Sequence, residues 1–291
     1  MSTANTLAAT AGGVSENHGS LHIGDLEVNF FDSVEERGDF PPIVLVHGTG
    51  GSTRSHFSFL FPMLAARQRV VAVDLATPQG PPEEGTARMA EQVQAVIEKV
   101  LPARPVTLAG YSLGAVVAAT AAGARPDLVG GLVLMAGWLK TDAQQRLRND
   151  VWHALRQSDA AALRRYQAFC AFSAPLLAML SEGEIEALVA SFRTDDVMAA
   201  QMEINRHVDL TEIAPKITCP TLIVAGTDDL MTPFRQSKRL FGAIADARYT
   251  EITSGHAMVV ERPAELVHLI AAFNADPNEY PAGATLPARR P

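Results

Sequence analysis

The chain has 291 residues, 47% hydrophobic and 19% charged, enough for one large soluble α/β domain with an insertion or for two small domains. Its formal net charge of −8 argues against nucleic acid or an anionic membrane surface as the main partner. Its two cysteines, Cys170 and Cys219, make no disulfide framework, and no Cys/His group has zinc-ligand spacing, so neither a metal site nor an oxidising compartment is expected. The opening residues lack a basic stretch followed by an apolar one, so no secretory leader is expected. No run is apolar enough to span a bilayer, so the expected setting is cytoplasmic, with no membrane partner.

In chain order, residues 1–20 are small and polar and read as a disordered lead. Leu21 to Ile23 and Glu27 to Phe31 carry β-like patterns separated by Gly24-Asp25, a hairpin signal. Ile43 to Val46 is a continuous β-branched and leucine run, the signature of a strand buried on both faces of a parallel sheet. Similar runs follow at Val70–Val73, Val106–Ala109, Leu132–Met135 and Leu222–Ala225, with a further strand expected at Tyr249–Ile252. Between them, Thr86 to Val100 places Met89, Val93, Val96, Ile97 and Val100 along one helical face. Ser112 to Gly123 is small and apolar all round, as suits a helix packed tightly on a sheet. Strands alternating with helices predict an α/β fold with a doubly wound, mostly parallel sheet.

One segment breaks this rhythm. From Trp138 to Ile213 there is no strand pattern but several amphipathic helical ones, including Leu155 to Phe172 and Glu184 to Phe192, with Ser181 and Glu184 spaced as a capping box. The expected organisation is therefore a core of residues 21–138 and 213–275, with a helical cap at 139–212 over the sheet. Ala264 to Asn274 reads as a closing helix, and residues 276–291 as a loose tail.

Each predicted parallel strand ends in something unusual. His47-Gly48-Thr49-Gly50-Gly51 follows the Ile43–Val46 run, and Gly110-Tyr111-Ser112-Leu113-Gly114 follows Val106–Ala109. Gly226-Thr227-Asp228-Asp229 follows Leu222–Ala225, and Ser254-Gly255-His256 follows Tyr249–Ile252. In a parallel sheet these carboxyl ends share one edge, so a serine, an acid and a histidine meet at one cleft. A serine hydroxyl becomes a nucleophile when an imidazole accepts its proton, and a carboxylate fixes the imidazole's tautomer.

These four motifs, in the order Ser…Asp…His, resemble the α/β-hydrolase superfamily over about residues 21–275. The group with 3-oxoadipate enol-lactonase-like proteins and small-molecule esterases is similar in cap and core. The resemblance implies Ser112 as nucleophile, His256 as general base and Asp229 as acid, with Asp228 the alternative. It also implies oxyanion amides at Leu113 and in the HGTGG turn, at Thr49, or else at Gly48 or Gly50. His47 is expected to be structural. Gly48, Trp138 and Phe172 are candidate substrate contacts, as are Arg54, His56 and Phe57 after the turn. His207 and Cys170 read as structural residues. Phe169, Phe172, Leu176 and Met179 of the cap are expected to wall a pocket. Because all the expected chemistry lies outside 139–212, the cap is expected to set specificity alone. Many relatives carry D-x-R-G-x-G-x-S after the fourth strand, where this chain has Asp74-Leu75-Ala76-Thr77-Pro78-Gln79-Gly80, so substrate identity does not carry over.

The implied activity is hydrolysis of a small-molecule ester, thioester or lactone through an acyl-enzyme, without a cofactor. Acyl transfer, cyclisation, perhydrolysis and a receptor role remain open on the same residues. The oligomeric state is not legible.

Overall fold

The computed structural model describes residues 16–34 and 39–287. The first two strands, β1 (Asn17–Ile23) and β2 (Leu26–Asp32), form the expected hairpin, its turn made by Gly24 at a φ of 57°. Residues 17–20, expected in the lead, are thus part of the sheet, because they pair in register with residues 29–32 of β2. The remainder of the expected lead, up to residue 15, lies outside the described residues. Strands β3 (Ile43–Val46), β4 (Val70–Asp74), β5 (Val106–Tyr111), β6 (Val129–Met135), β7 (Thr221–Gly226) and β8 (Ala247–Ile252) complete the sheet. Its eight strands run in the order β1-β2-β4-β3-β5-β6-β7-β8. β1, β2 and β4 are joined antiparallel, and every pairing from β4 through β3 to β8 is parallel.

Helices α1 (Thr53–His56) and α2 (Leu60–Ala65) link β3 to β4; α3 (Gly85–Val100) precedes β5 and α4 (Leu113–Ala124) follows it. Between β6 and β7 lie α5 (Ala143–Ser158), α6 (Ala160–Ala171), α7 (Ala174–Met179), α8 (Glu182–Ser191) and α9 (Asp196–Arg206). After β7 come α10 (Phe234–Ala243), α11 (Met258–Glu261) and α12 (Pro263–Ala275). No helix among the described residues is long and apolar enough to cross a membrane.

The two-residue period of β3 divides the core. Val44 and Val46 face one layer with Met89 and Val93 of α3, Val116 of α4 and Leu240 of α10. Ile43 and Leu45 face the other, with Leu60 and Leu64 of α2 and Leu266 and Ile270 of α12. Burial on both faces explains why these strands are unbroken apolar runs.

The inserted segment is rooted by a short antiparallel join. The amides of Thr141 and Leu210 donate to the carbonyls of Val208 (3.0 Å) and Leu139 (2.8 Å), and Lys140 pairs with Asp209 at 2.6 Å. The helix expected across Leu155 to Phe172 is broken at Asp159, where φ is −153° and the carboxylate accepts from the amides of Ala161 and Ala162 (3.0 and 2.9 Å). An N-capping aspartate here favours a restart over a continuous helix. The Ser181/Glu184 capping box forms as expected. The tail expected to be loose is docked as far as Leu286, where Tyr249 of β8 donates to Ala284 (3.0 Å) and accepts from Leu286 (2.7 Å); residues 288–291 lie outside the described residues. β8 is an edge strand, and this pairing covers part of it.

Where β5 turns into α4 there is no space for side chains. A Cβ on Gly114 would lie 2.1 Å from the carbonyl oxygen of Val46, and one on Gly110 would lie 2.2 Å from that of Gly114. Gly114→Ala is therefore expected to destabilise the chain by about 3 kcal/mol, read as a fall in the urea midpoint. Gly183→Ala on α8, where nothing lies within 4 Å, should be neutral or stabilising by up to about 1 kcal/mol. Equal effects from the two would refute this account of the elbow.

Candidate active site

The elbow forces Ser112 into φ 55°, ψ −120°, a conformation that costs a residue with a Cβ about 1–3 kcal/mol. It is held there by its own amide, which donates to Met135 O of the neighbouring strand (2.8 Å), and by the packing of α4 beneath it. The result is a serine side chain raised above the carboxyl end of β5.

His256 arrives in the turn after β8. Its Nε2 lies 2.8 Å from Ser112 Oγ, and its Nδ1 lies 2.7 Å from Asp229 Oδ2. A carboxylate only accepts, so Nδ1 carries the proton and Nε2 is left to accept from the serine hydroxyl. Asp229 is itself fixed by the amides of Met231 (2.8 Å) and Thr232 (2.7 Å) on Oδ1. All three groups are buried, Ser112 at 8% exposure, His256 at 6% and Asp229 at 4%. Asp228 is exposed; its carboxylate accepts from the Thr227 hydroxyl at 2.9 Å and its amide donates to Ser254 O at 3.0 Å. Of the two aspartates, geometry brings Asp229 to the histidine.

The His47–Gly51 turn faces the serine. Its amides separate cleanly: Gly48 N donates to His56 Nδ1 (3.1 Å), Gly50 N to Gln201 Oε1 (2.7 Å), and Gly51 N to Gly48 O (3.1 Å). The amide of Thr49 has no acceptor among the described residues, and neither has that of Leu113 at the start of α4. These two free donors are the pair expected for an oxyanion site. Gly48, expected to touch substrate, instead lets the turn approach the elbow, since a Cβ there would lie 2.9 Å from Ser112 Cβ. It does not line the cavity.

Above the serine is a cavity of about 480 Å³, lined by Ser112, His256 and Thr49 from the core and by residues of the inserted helices. Trp138 and Phe172 line it as expected, and Trp138 is oriented by donating to Thr141 Oγ1 at 2.9 Å. Phe169 and Met179, expected as walls, are 62% and 75% exposed and do not line the cavity. Leu176 packs beside Phe172 without reaching the cavity. Among the residues after the turn, His56 lines the cavity, Phe57 is core, and Arg54 is on the surface, paired with Glu16 at 2.6 Å. His47 is structural: its Nδ1 donates to Gly48 O (2.8 Å) and its Nε2 accepts from Leu75 N (2.9 Å). His207 sits at the surface 3.5 Å from Glu83, and Cys170 is buried.

Sequence reading missed three kinds of residue. Tyr111 donates its hydroxyl to His256 O (2.9 Å). Glu261 accepts from Gly255 N (3.2 Å) and from the amide and hydroxyl of Ser173 (2.9 and 2.6 Å), tying the histidine turn to the inserted helices. Gln201 and Asn205, one turn apart on α9, grip the glycine turn: besides the Gly50 bond, Asn205 Nδ2 donates to Thr49 Oγ1 (2.9 Å) and Gln201 Nε2 to Thr77 Oγ1 (2.9 Å). Only the four-residue spacing hinted at the last pair. The insertion therefore touches the turn as well as walling the cavity, which the expected division between cap and core did not include.

The alpha/beta hydrolase family profile matches residues 43–269, the span that carries every group above. The chain belongs to the alpha/beta hydrolase family. A pyrrolizixenacetamide deacetylase of Xenorhabdus hominickii is 31% identical over 260 residues, 87% of this chain and 96% of that one. An Escherichia coli protein provisionally named carbamate hydrolase RutD is 30% identical over 241 residues, 77% of this chain and 88% of its own. Among solved structures, the enol-lactonase of Burkholderia xenovorans LB400 superposes with a TM-score of 0.75 at 21% identity, covering 89% of this chain and all of that one, a likeness of fold.

In this hydrolase His56 accepts from an amide and must be neutral to do so. Burial, reinforced by His47 and His256 nearby, lowers its pKa from 6.5 to about 3. An unfolded histidine gains a proton near 6.5 while the folded one does not, so His56 contributes stability that is full above that pH and is lost as pH falls towards 3. Thermal midpoints should therefore fall on acidification below about pH 6.5. His56→Asn, which keeps an acceptor but cannot titrate, should flatten that slope. An unchanged slope would contradict this placement of the histidine.

Proposed function

We propose that the chain is a serine hydrolase of small-molecule acyl compounds, an ester, thioester or lactone, acting through an acyl-enzyme. The single observation that carries this reading is the hydrogen-bonded line Asp229–His256–Ser112, ending on a strained serine that opens into the cavity. In the proposed cycle Ser112 Oγ attacks the substrate carbonyl as His256 Nε2 takes its proton. The oxyanion forms against the Thr49 and Leu113 amides. The tetrahedral adduct then collapses, its leaving oxygen or sulfur receiving the proton from His256, and water, deprotonated by the same imidazole, releases the acid.

A second reading is supported by the deacetylase relative, whose similarity extends across nearly the whole of both chains. In that reading the scissile bond is an N-acyl bond and His256 protonates a leaving nitrogen. The residues and their roles are the same, so turnover of matched ester and amide substrates decides between them.

Ser112→Ala should abolish labelling by a fluorophosphonate and lower turnover of short-chain 4-nitrophenyl esters by about 10⁴-fold or more. Labelling without turnover in the wild type would favour a receptor, and undiminished turnover by the alanine variant would remove Ser112 from the mechanism. Asp229→Asn should cost about 10⁴ in kcat and Asp228→Asn little, and the reverse ranking would move the acid by one residue. Gln201→Ala should lower kcat about tenfold with KM little changed, because it loosens the turn that carries the proposed Thr49 donor. A change in KM alone would assign Gln201 to substrate binding.

A further inference from the structure

At the serine end of the cavity the side chains of Ser112, His256 and Asp229 are hydrogen-bonded to one another, whereas the wall formed by the inserted helices holds side chains with unpaired polar atoms. Arg148, on α5, lines the cavity, and its guanidinium makes no hydrogen bond or ion pair with any described residue. Its Nε is sealed from solvent without an acceptor. The neighbouring Trp152, one turn along, is fully buried with Nε1 also lacking an acceptor. Asn149 and Gln167 commit their NH2 groups to the carbonyls of Met202 (2.8 Å) and Arg193 (3.2 Å), leaving Oδ1 and Oε1 unpaired. Arg193, also on this cavity, is by contrast paired with Asp195 at 2.7 Å.

A guanidinium stays charged in a protein and is costly to desolvate without a counter-ion. Burial is the largest influence on Arg148 and disfavours its charged form, and Asp229 is the one carboxylate among the influences that oppose it. Asp229 is already engaged by His256 and two amides. No described residue is therefore left to serve as its counter-ion.

We propose that Arg148 receives a carboxylate carried by the substrate, distant from the scissile bond, so that the enzyme prefers substrates bearing that anion. This rests on the hydrolase reading of Ser112 and adds a substrate class to it. The planar fork of the guanidinium matches a carboxylate's two oxygens. A phosphate monoester would bring a second negative charge, and the only other arginine on this cavity among the described residues, Arg193, is already paired.

The test uses 4-nitrophenyl half-esters of glutaric, adipic and pimelic acids, each against the same ester with its free carboxyl methylated. Wild type should show at least about a tenfold higher kcat/KM for the free acid at one or more chain lengths. In Arg148→Met that ratio should fall towards one, and Arg148→Lys should retain an intermediate preference; circular dichroism checks the fold of each. A wild-type preference for the methylated esters, equal rates for the two, or an undiminished ratio in Arg148→Met would overturn the proposal. Calorimetry of glutarate, adipate and pimelate on Ser112→Ala, with and without Arg148→Met, separates the two readings because it needs no chemistry. Binding that disappears with Arg148→Met while wild type turns over no ester would retain the anion site and sink the hydrolase reading. Turnover of neutral esters by wild type with no dicarboxylate binding would do the reverse.

Discussion

The steric contact between two pieces of backbone organises this molecule. Helix α4 approaches β3 so closely that only hydrogen fits at Gly114, and that closeness is what holds Ser112 at a positive φ. The fully buried strands β3 and β5, and the small-residue face of α4, are what make such an approach stable. Because β3, β5, β7 and β8 are parallel, the turns after them share one edge, and side chains more than a hundred residues apart come within hydrogen-bond distance.

The site is over-determined around that elbow. Asp229 is fixed by two amides, His256 by Asp229 and by Tyr111, and the glycine turn by His56 from the core and by Gln201 and Asn205 from α9. Such redundancy fits a strained residue, which persists only where its surroundings leave no alternative. It also means that the inserted helices are structurally coupled to the turn and are more than a lid over it.

Much of this was legible in the sequence, for definable reasons. Parallel strands buried on both faces announce themselves as apolar runs, and the residues just beyond them are where the chemistry sits. Ser112, His256 and Asp229 could be placed together because topology, not contact detail, decides their meeting. Gly48 was misassigned because a glycine spared for close approach and one spared for a ligand look identical in a sequence. Phe169 and Met179 were misassigned because the rotation of a short helix over a cavity depends on packing that a local pattern does not encode. The docked tail was missed because pairing to an exposed sheet edge uses backbone groups, which any sequence supplies. Arg148 and the α9 pair were invisible because an arginine or glutamine on a helix ordinarily faces water.

The account turns on Ser112 becoming covalently acylated during turnover. The most direct measurement is intact-mass spectrometry of the wild-type enzyme, acid-quenched within milliseconds of mixing with a 4-nitrophenyl ester, followed by peptide mapping. The account predicts a transient adduct with the mass of the acyl group, confined to the peptide that contains Ser112. Steady turnover with no adduct where released nitrophenol shows a burst, or an adduct on another residue, would contradict it.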